Sequence, residues 1–476
     1  MQSIQQIITK GLKWSVSVQS LTQILKIGRW IILLYYLTPA DFGLFSMGVL
    51  LIGLPQMFLD EGLTSAVIQN KKSFSIAELS TYHWLLVGYS ALLCGLYVFF
   101  STQIVAFFNE PDLGYLIIFL SVAYLIESFG KIPHCLLQKS LKFEFLAKTE
   151  AIVFIISSIL TLVFAYMGLG LWALAYGLLV TYILLTVSYS IKARFLPQLT
   201  FSLSHLRELH KYVINLTLFR IMSYFMRFLD DFIIGFFFGK TALGIYDRAY
   251  QIVHLPMRLI TNKINYVLFP VYSAPESKKT EIRQVHLKII HYAAAIYFPV
   301  LAIIILFSKD SVALFLPEKW SDLTYFMPIL AAGGVLHAFL NFNQSIFLSQ
   351  NRTDLQLKYG FLTRGIIIFS YLVGVYFGVK GIAIGYTIGS LLAFFPESIR
   401  AWKIIDLSLP DFWKTIQSSL LFSILLVVGV LGLFSFLEGE IYRLVFGGLF
   451  CVLCLAVWYW KLFFVGKNVL KSGGLN

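Results

Sequence analysis

The sequence predicts an all-α polytopic membrane protein with about 14 transmembrane helices. Two six-helix lobes are related by a parallel pseudo-twofold repeat, and two further helices follow them. Three observations predict this. The 476 residues are 58% hydrophobic and 13% charged, where a soluble domain carries about 25% charged residues. Apolar runs of about 20 residues, long enough to cross a bilayer, recur with no polar linker between them. Basic residues gather at alternate ends of those runs, 23 on one side against 5 on the other, as cytoplasmic and external loops do.

The runs lie near 15–37, 42–66, 79–100, 113–134, 147–167, 169–190, 212–237, 242–270, 286–307, 323–348, 359–378, 380–401, 415–436 and 441–463. The first is too long for a signal-peptide core and no small-residue cleavage site follows it, so it stays as a helix. The second starts over Thr38-Pro39-Ala40-Asp41, contains Pro55 and carries Asp60-Glu61-Gly62 near its far end. The second, seventh and eighth contain charges, so they rest on their place in the series rather than on hydropathy. The richer loops hold Lys10, Lys13, Lys71, Lys72 and their successors down to Lys471. The poorer ones hold Lys240, Lys309, Lys319, Lys380 and Arg443. This split puts both termini in the cytoplasm and requires an even number of spans. The longest loops opposite, 101–112 and 308–322, are too short for an external catalytic domain.

The connection Ile191–Lys211 divides the chain, and the two halves echo one another. Gln19 to Pro55 align without a gap on Arg220 to Pro256, 201 positions on. Gly43 falls on Gly244, Phe45 on Tyr246, and Leu54-Pro55 on Leu255-Pro256. Ala173-Leu174-x-Tyr176 likewise resembles Ala383-Ile384-x-Tyr386. Lobes are expected at 1–200 and 201–405, with an appended helix pair at 406–476. Repeats of six helices are parallel, and transporters built this way hold substrate between the halves. Pro55 and Pro256 each remove a backbone hydrogen bond and are the expected hinges.

Six cations lie inside expected spans: Lys26, Arg29, Arg220, Arg227, Arg258 and Lys263. Facing lipid they would cost on the order of 15–20 kcal/mol together, so they must line a wet cavity or pair with acids. Gln19, Gln23, Lys26 and Trp30 share one helical face, and Arg220, Tyr224, Arg227 and Asp231 have the same spacing. The candidate substrate-binding set is therefore Gln19, Gln23, Lys26, Arg29, Arg220, Tyr224, Arg227 and Arg258. Arg227 with Asp231 and Glu127 with Lys131 are also placed for pairing within a helix. A cationic lumen calls for an anionic substrate, and arginine forks suit phosphate oxygens. Asp60, Glu61 and Asp231 are candidates for holding a coupling proton or Na⁺.

Other classes are disfavoured. The net charge of +13 is spread over span ends rather than forming one patch, so no nucleic acid is expected. Cys451-x-x-Cys454 has no second pair and reads as packing, so no metal is expected. No HExxH or GxSxG motif occurs, and Gly235-x-x-x-Gly239-Lys240-Thr241 misses the phosphate-loop spacing by one residue. No enzyme activity and no cofactor are expected, and energy must come from an ion gradient, the membrane potential or substrate concentration.

Leu37-Thr38-Pro39-Ala40-Asp41-Phe42-Gly43-Leu44 with Asp60-x-Gly62-Leu63 resembles the first-half signature of Wzx-type polysaccharide flippases, of the colanic-acid-exporter kind, in the multidrug/oligosaccharidyl-lipid/polysaccharide exporter superfamily. Asp231-x-Ile233-Ile234-Gly235, Gly244-Ile245-Tyr246 with Ala249-Tyr250 and Pro256, and Phe269-Pro270 resemble its second half. Tyr35-Tyr36 and Thr38 replace the Arg-Leu-Leu usual there. The resemblance implies a multi-pass protein of the bacterial inner membrane. It implies movement of undecaprenyl-diphosphate-linked oligosaccharide from the cytoplasmic to the periplasmic leaflet by alternating access. Membrane lipid, a polysaccharide polymerase and chain-length proteins are the corresponding partners. A multidrug antiporter of the same superfamily is the alternative, although cationic drugs want an acidic lumen. A polysaccharide polymerase or membrane glycosyltransferase would want a large outer loop or an acidic pair at the membrane surface.

Overall fold

The computed structural model describes residues 22–23, 25–56, 60–69, 74–202, 210–272 and 279–472. Among them there is no strand. A first helix α1 covers 25–36. It is followed by α2 (Pro39–Gln56), α3 (Asp60–Gln69), α4 (Ile76–Phe108), α5 (Pro111–Lys139), α6 (Phe143–Tyr166) and α7 (Leu171–Ala193). Then come α8 (His210–Tyr272), α9 (Lys279–Phe315), α10 (Leu323–Ser349), α11 (Thr353–Val375), α12 (Gly378–Ile404), α13 (Leu409–Phe434) and α14 (Glu440–Ser472). Nine of these, α4 to α7, α9, α10 and α12 to α14, are long and apolar enough to cross a membrane. The expected runs fall on helix wherever they lie in described residues. The seventh and eighth are the two arms of α8, which leaves helical values at Gly239 (φ 78°, ψ −178°) and not at Pro256. Only glycine adopts that backbone at little cost.

Local chemistry sets the helix starts. Thr38 caps α2: its Oγ1 accepts the Asp41 N–H at 3.2 Å, and Asp41 Oδ2 accepts the Thr38 N–H at 2.8 Å. Pro39 follows at the first helical position, where its missing N–H costs nothing. Thr-Pro-Ala-Asp is thus a capping box with a proline start. Ser75 with Glu78 does the same for α4, and Ser408 with Asp411 for α13. Pro55 sits one residue before the end of α2, and its carbonyl accepts the Tyr89 hydroxyl at 2.7 Å.

Contacts group residues 1–244 and 245–476 into two compact units. In the first, α5 packs between α4 and α7, α6 lies on α7, and α2 on α5. Leu63, Val67, Leu79, Tyr82, Leu86, Ile132, Cys135 and Phe195 form one core there. The segment after α7 is pinned to α4: Ser80 Oγ accepts the Gln198 N–H, and Trp84 Nε1 donates to the Gln198 carbonyl at 2.8 Å. In the second unit α12 packs on both α10 and α11, and α13 on α9. Cys451 is buried with Leu306, Phe307 and Leu426, and Cys454 packs against that cluster.

Candidate functional site

The candidate residues of the first unit lie on α1 and on the first arm of α8. On α1, Lys26 and Arg29 both stand over the Phe154 ring of α6, the Nζ 5.5 Å and the guanidinium carbon 5.1 Å from its centroid. Arg29 Nη1 donates to Ser158 Oγ at 3.4 Å. Arg29 and Gln23 are half-buried and Lys26 is exposed. A cation over an aromatic face gains about 0.5–2 kcal/mol. Such a contact orients the two cations on one side of α1.

The first arm of α8 runs antiparallel along α2. The Tyr224 hydroxyl donates to the Leu50 carbonyl at 3.1 Å, and a Cβ on Gly53 would overlap that hydroxyl. One turn on, Arg227 is exposed, its guanidinium 5.3 Å from the Phe228 ring. Asp231 lines an apolar crevice with Met47, Leu50, Leu51, Phe108, Phe232 and Gly235. At the end of the arm, a Cβ on Gly43 would overlap the Lys240 carbonyl, and one on Gly244 the Pro39 carbonyl. The contact is reciprocal at the offset of 201 that pairs Gly43 with Gly244 and Pro39 with Lys240. Small residues at helix crossings let backbones approach this closely.

That end is also tied by charge. Lys240 Nζ lies 2.8 Å from Glu110 Oε2 and 3.8 Å from Asp112. Its hydrogen bond to the Glu110 carboxylate holds the ammonium above its usual range. Asp41 spends its second oxygen on the Leu171 N–H at 3.0 Å, fastening the start of α7 to the start of α2.

The other candidates are dispersed. Arg258 is exposed and Pro256 half-buried on the second arm of α8, in the second unit. Asp247 there pairs with its neighbour Arg248 and accepts from Gln251 at 2.9 Å. Glu127 and Lys131 make the expected pair at 2.7 Å. Gln19 lies outside the described residues, as do the side chains of Asp60, Glu61, Arg220 and Lys263, whose backbone is helical. One residue near the cations was not a sequence candidate. Glu150 stands one turn before Phe154 on α6 and accepts the Tyr189 hydroxyl at 3.3 Å. The spacing Glu150, Phe154, Ser158 was the available signal, since it places all three on one helical face.

Residues 32–325 match the family model described as polysaccharide biosynthesis protein. The chain belongs to this family. Over 409 residues it is 26% identical to the lipopolysaccharide biosynthesis protein WzxC of Escherichia coli (strain K12), covering 85% of this chain and 82% of that one. It is 28% identical to the teichuronic acid biosynthesis protein TuaB of Bacillus subtilis (strain 168), covering 75% and 74%. Among solved structures it is similar to the lipid II flippase MurJ in an inward closed conformation. The TM-score is 0.77 at 17% identity, with 96% of this chain and all of that one covered. An inward-facing multidrug transporter of the MATE family matches with a TM-score of 0.61, also at 17% identity, over 81% of this chain and 96% of that one. At such identities these two likenesses speak for the fold of this family member and nothing more.

Proposed function

We propose that the protein is a flippase that carries undecaprenyl-diphosphate-linked oligosaccharide from the cytoplasmic to the outer leaflet of the bacterial inner membrane. The observation that carries this reading is the pair Lys26 and Arg29, held together on α1 over the Phe154 ring. Cations on apolar helices are costly against lipid, and two cations three residues apart suit a diphosphate. Arg227 and Tyr224 on α8 add a second polar face. Family membership and the relatives named for lipopolysaccharide and teichuronic acid biosynthesis support the same substrate class.

Alternating access would expose this site to each side in turn. The 23-to-5 distribution of basic residues supports cytoplasmic termini and puts the Gly43–Gly244 crossing and the Lys240–Glu110 pair on the outer side. Opening outward would require the ion pair to break and the crossing to part, with Pro55, Pro256 and Gly239 as the bending points. The lobes 1–200 and 201–405 find support in the backbone: Leu141 and Asn351 are left-handed, as are Gly168 and Gly378, each pair 210 positions apart. Coupling to an ion gradient through Asp60, Glu61 or Asp231 belongs to the same proposal.

The test is flipping of a labelled lipid-linked oligosaccharide in liposomes containing purified protein. Lys26→Gln and Arg227→Gln are expected to lower the rate about tenfold each at normal expression, the loss of one charge-assisted contact. Arg227→Lys should restore part of it, because charge remains while the fork is lost. Both Gln variants running at the wild-type rate would overturn the cationic-site reading.

A further inference from the structure

The second unit buries a histidine where the first has a glycine. His254, on the second arm of α8, is 4% exposed, and its Nε2 lies 3.2 Å from the Tyr386 hydroxyl of α12. Tyr250, one turn back on the same arm, covers a face of the imidazole with ring centroids 3.9 Å apart. Consecutive glycines on α10 make the room. A Cβ on Gly333 would lie 2.7 Å from the Tyr386 ring, and one on Gly334 would lie 3.0 Å from the His254 ring. The fold does not force this pair. At the offset of 201, His254 falls on Gly53. The repeat partner of Tyr386 is Tyr176, which sits among Phe119, Phe164 and Trp172. The same tyrosine is thus ringed by aromatics in one half and set against a titratable ring in the other. Pro256 follows two residues after His254 and has no N–H to give the Ile252 carbonyl. The arm is therefore weakened close to the point where Tyr386 holds it.

We infer that His254 is a proton-binding site of the transport cycle: neutral, it is bonded to Tyr386, and on taking a proton it lets the second arm of α8 part from α12. The inference rests on the reading of the protein as an ion-coupled flippase. It adds a site in the second unit, whereas Asp60, Glu61 and Asp231 belong to the first. The proton comes from water on one side of the membrane, resides on the imidazole and leaves to water on the other, and no other bond changes. The surroundings decide which form the cradle holds. Burying a charge is costly unless an opposite charge meets it. Around the imidazole stand Tyr250 and the exposed Arg258 on its own arm, and His337 one turn beyond Gly334 on α10. On α12 stands Tyr386, with Tyr371 of α11 stacked behind it. Toward α9 the arm presents Thr261, whose hydroxyl meets that of Tyr297 at 2.6 Å. Asp247, two turns before His254, is the one anion among these groups and is matched by Arg248. An imidazolium therefore gains by leaving the cradle for water, and Pro256 gives the arm a place to bend. Each charge state then favours one position of the arm, which is what a proton needs in order to shift the equilibrium between two forms.

The test uses the purified full chain. Flipping of labelled undecaprenyl-diphosphate oligosaccharide is followed in liposomes, and deuterium exchange of the second arm of α8 in detergent. An imposed pH gradient is expected to raise the wild-type rate about fivefold, the lower end of ordinary coupling between two sites. His254→Gln, which can still bond Tyr386, should run at one rate with and without the gradient. A merely structural histidine would lower both rates together and leave their ratio as in wild type. Acidification across the histidine range, from about pH 7.5 to about pH 5.5, should speed exchange around His254 in wild type once the intrinsic rate is corrected for. The same acidification should leave exchange in His254→Gln unchanged. Tyr386→Phe keeps the ring and removes the hydroxyl, so its exchange at neutral pH should approach that of acidified wild type. That variant decides the matter if His254→Gln does not fold. A gradient response or an acid-induced rise in His254→Gln equal to that of wild type overturns the proton site, as does Tyr386→Phe exchanging like wild type at neutral pH. Wild type flipping equally with and without the gradient overturns it too and leaves the flippase reading standing. Absence of any protein-dependent flipping overturns the flippase reading instead, and the exchange measurement then decides on His254 alone.

Discussion

At the scale of the residue, close approach separates glycines that look alike in the sequence. A Cβ at Gly43 meets a backbone carbonyl, that of Lys240, which cannot move without moving the helix. A Cβ at Gly53 meets the Tyr224 hydroxyl, the far end of a side chain that can swing aside. Gly43→Ala should therefore cost about 2 kcal/mol, the size of an overpacked contact, and Gly53→Ala clearly less. Thermal unfolding of the two variants in detergent checks this, and equal losses would mean that the crossing is looser than described. The pairing of Gly43 with Gly244 was legible in the sequence as a match between halves, but not that the two residues would meet one another. For Glu150 the sequence records only the helical face it shares with Phe154 and Ser158. Charges such as Glu127 and Lys131 are found by counting four residues along a helix. The hydrogen-bond partner of Glu150, Tyr189, comes from α7, brought in by packing that no local spacing records.

At the scale of the element, the helix starts were the clearest part of the sequence, because capping needs only three or four consecutive residues. Thr38 makes, with Asp41, the box that begins α2. The same chemistry docks the appended pair. Asp411, in the first turn of α13, accepts the N–H of the capping Ser408 at 3.0 Å and Arg283 Nη2 of α9 at 2.7 Å. The Ser408 hydroxyl, then the Ser408 N–H and Arg283, hold its carboxyl below the ordinary carboxylate range. The ionised form is the stabilising one, so the contribution is present above about pH 4 and is lost as pH falls through the lowered value. Asp411→Asn should lower stability by about 1 kcal/mol at neutral pH, as loss of a cap does. The deficit relative to wild type should shrink on acidification, read from unfolding midpoints across pH. A deficit that grows in acid would contradict the assignment. The division of α8 was legible too, since the gap between the expected runs 212–237 and 242–270 contains Gly239.

At the scale of the whole molecule, composition and the alternation of basic loops were enough for the membrane class, because both average over hundreds of residues. Which charges gather was not available from those averages. Lys26 and Arg29 share an aromatic support on α6, Asp247 is matched by its own neighbour Arg248, and Lys240 is spent on Glu110. The charges of the membrane helices thus fall into a pair over one ring, a pair of chain neighbours and an ion pair to Glu110. The proposed role of Lys26 and Arg29 depends on the protein moving an anionic lipid. The measurement that tests this most directly is the arrival of a fluorescent undecaprenyl-diphosphate oligosaccharide in the opposite leaflet of liposomes, with protein and without, under an imposed pH or Na⁺ gradient and under none. Protein-dependent arrival of the lipid, with cationic dyes left behind, is the expected result. Transport of the dyes without the lipid would contradict it and make the protein a cation exporter.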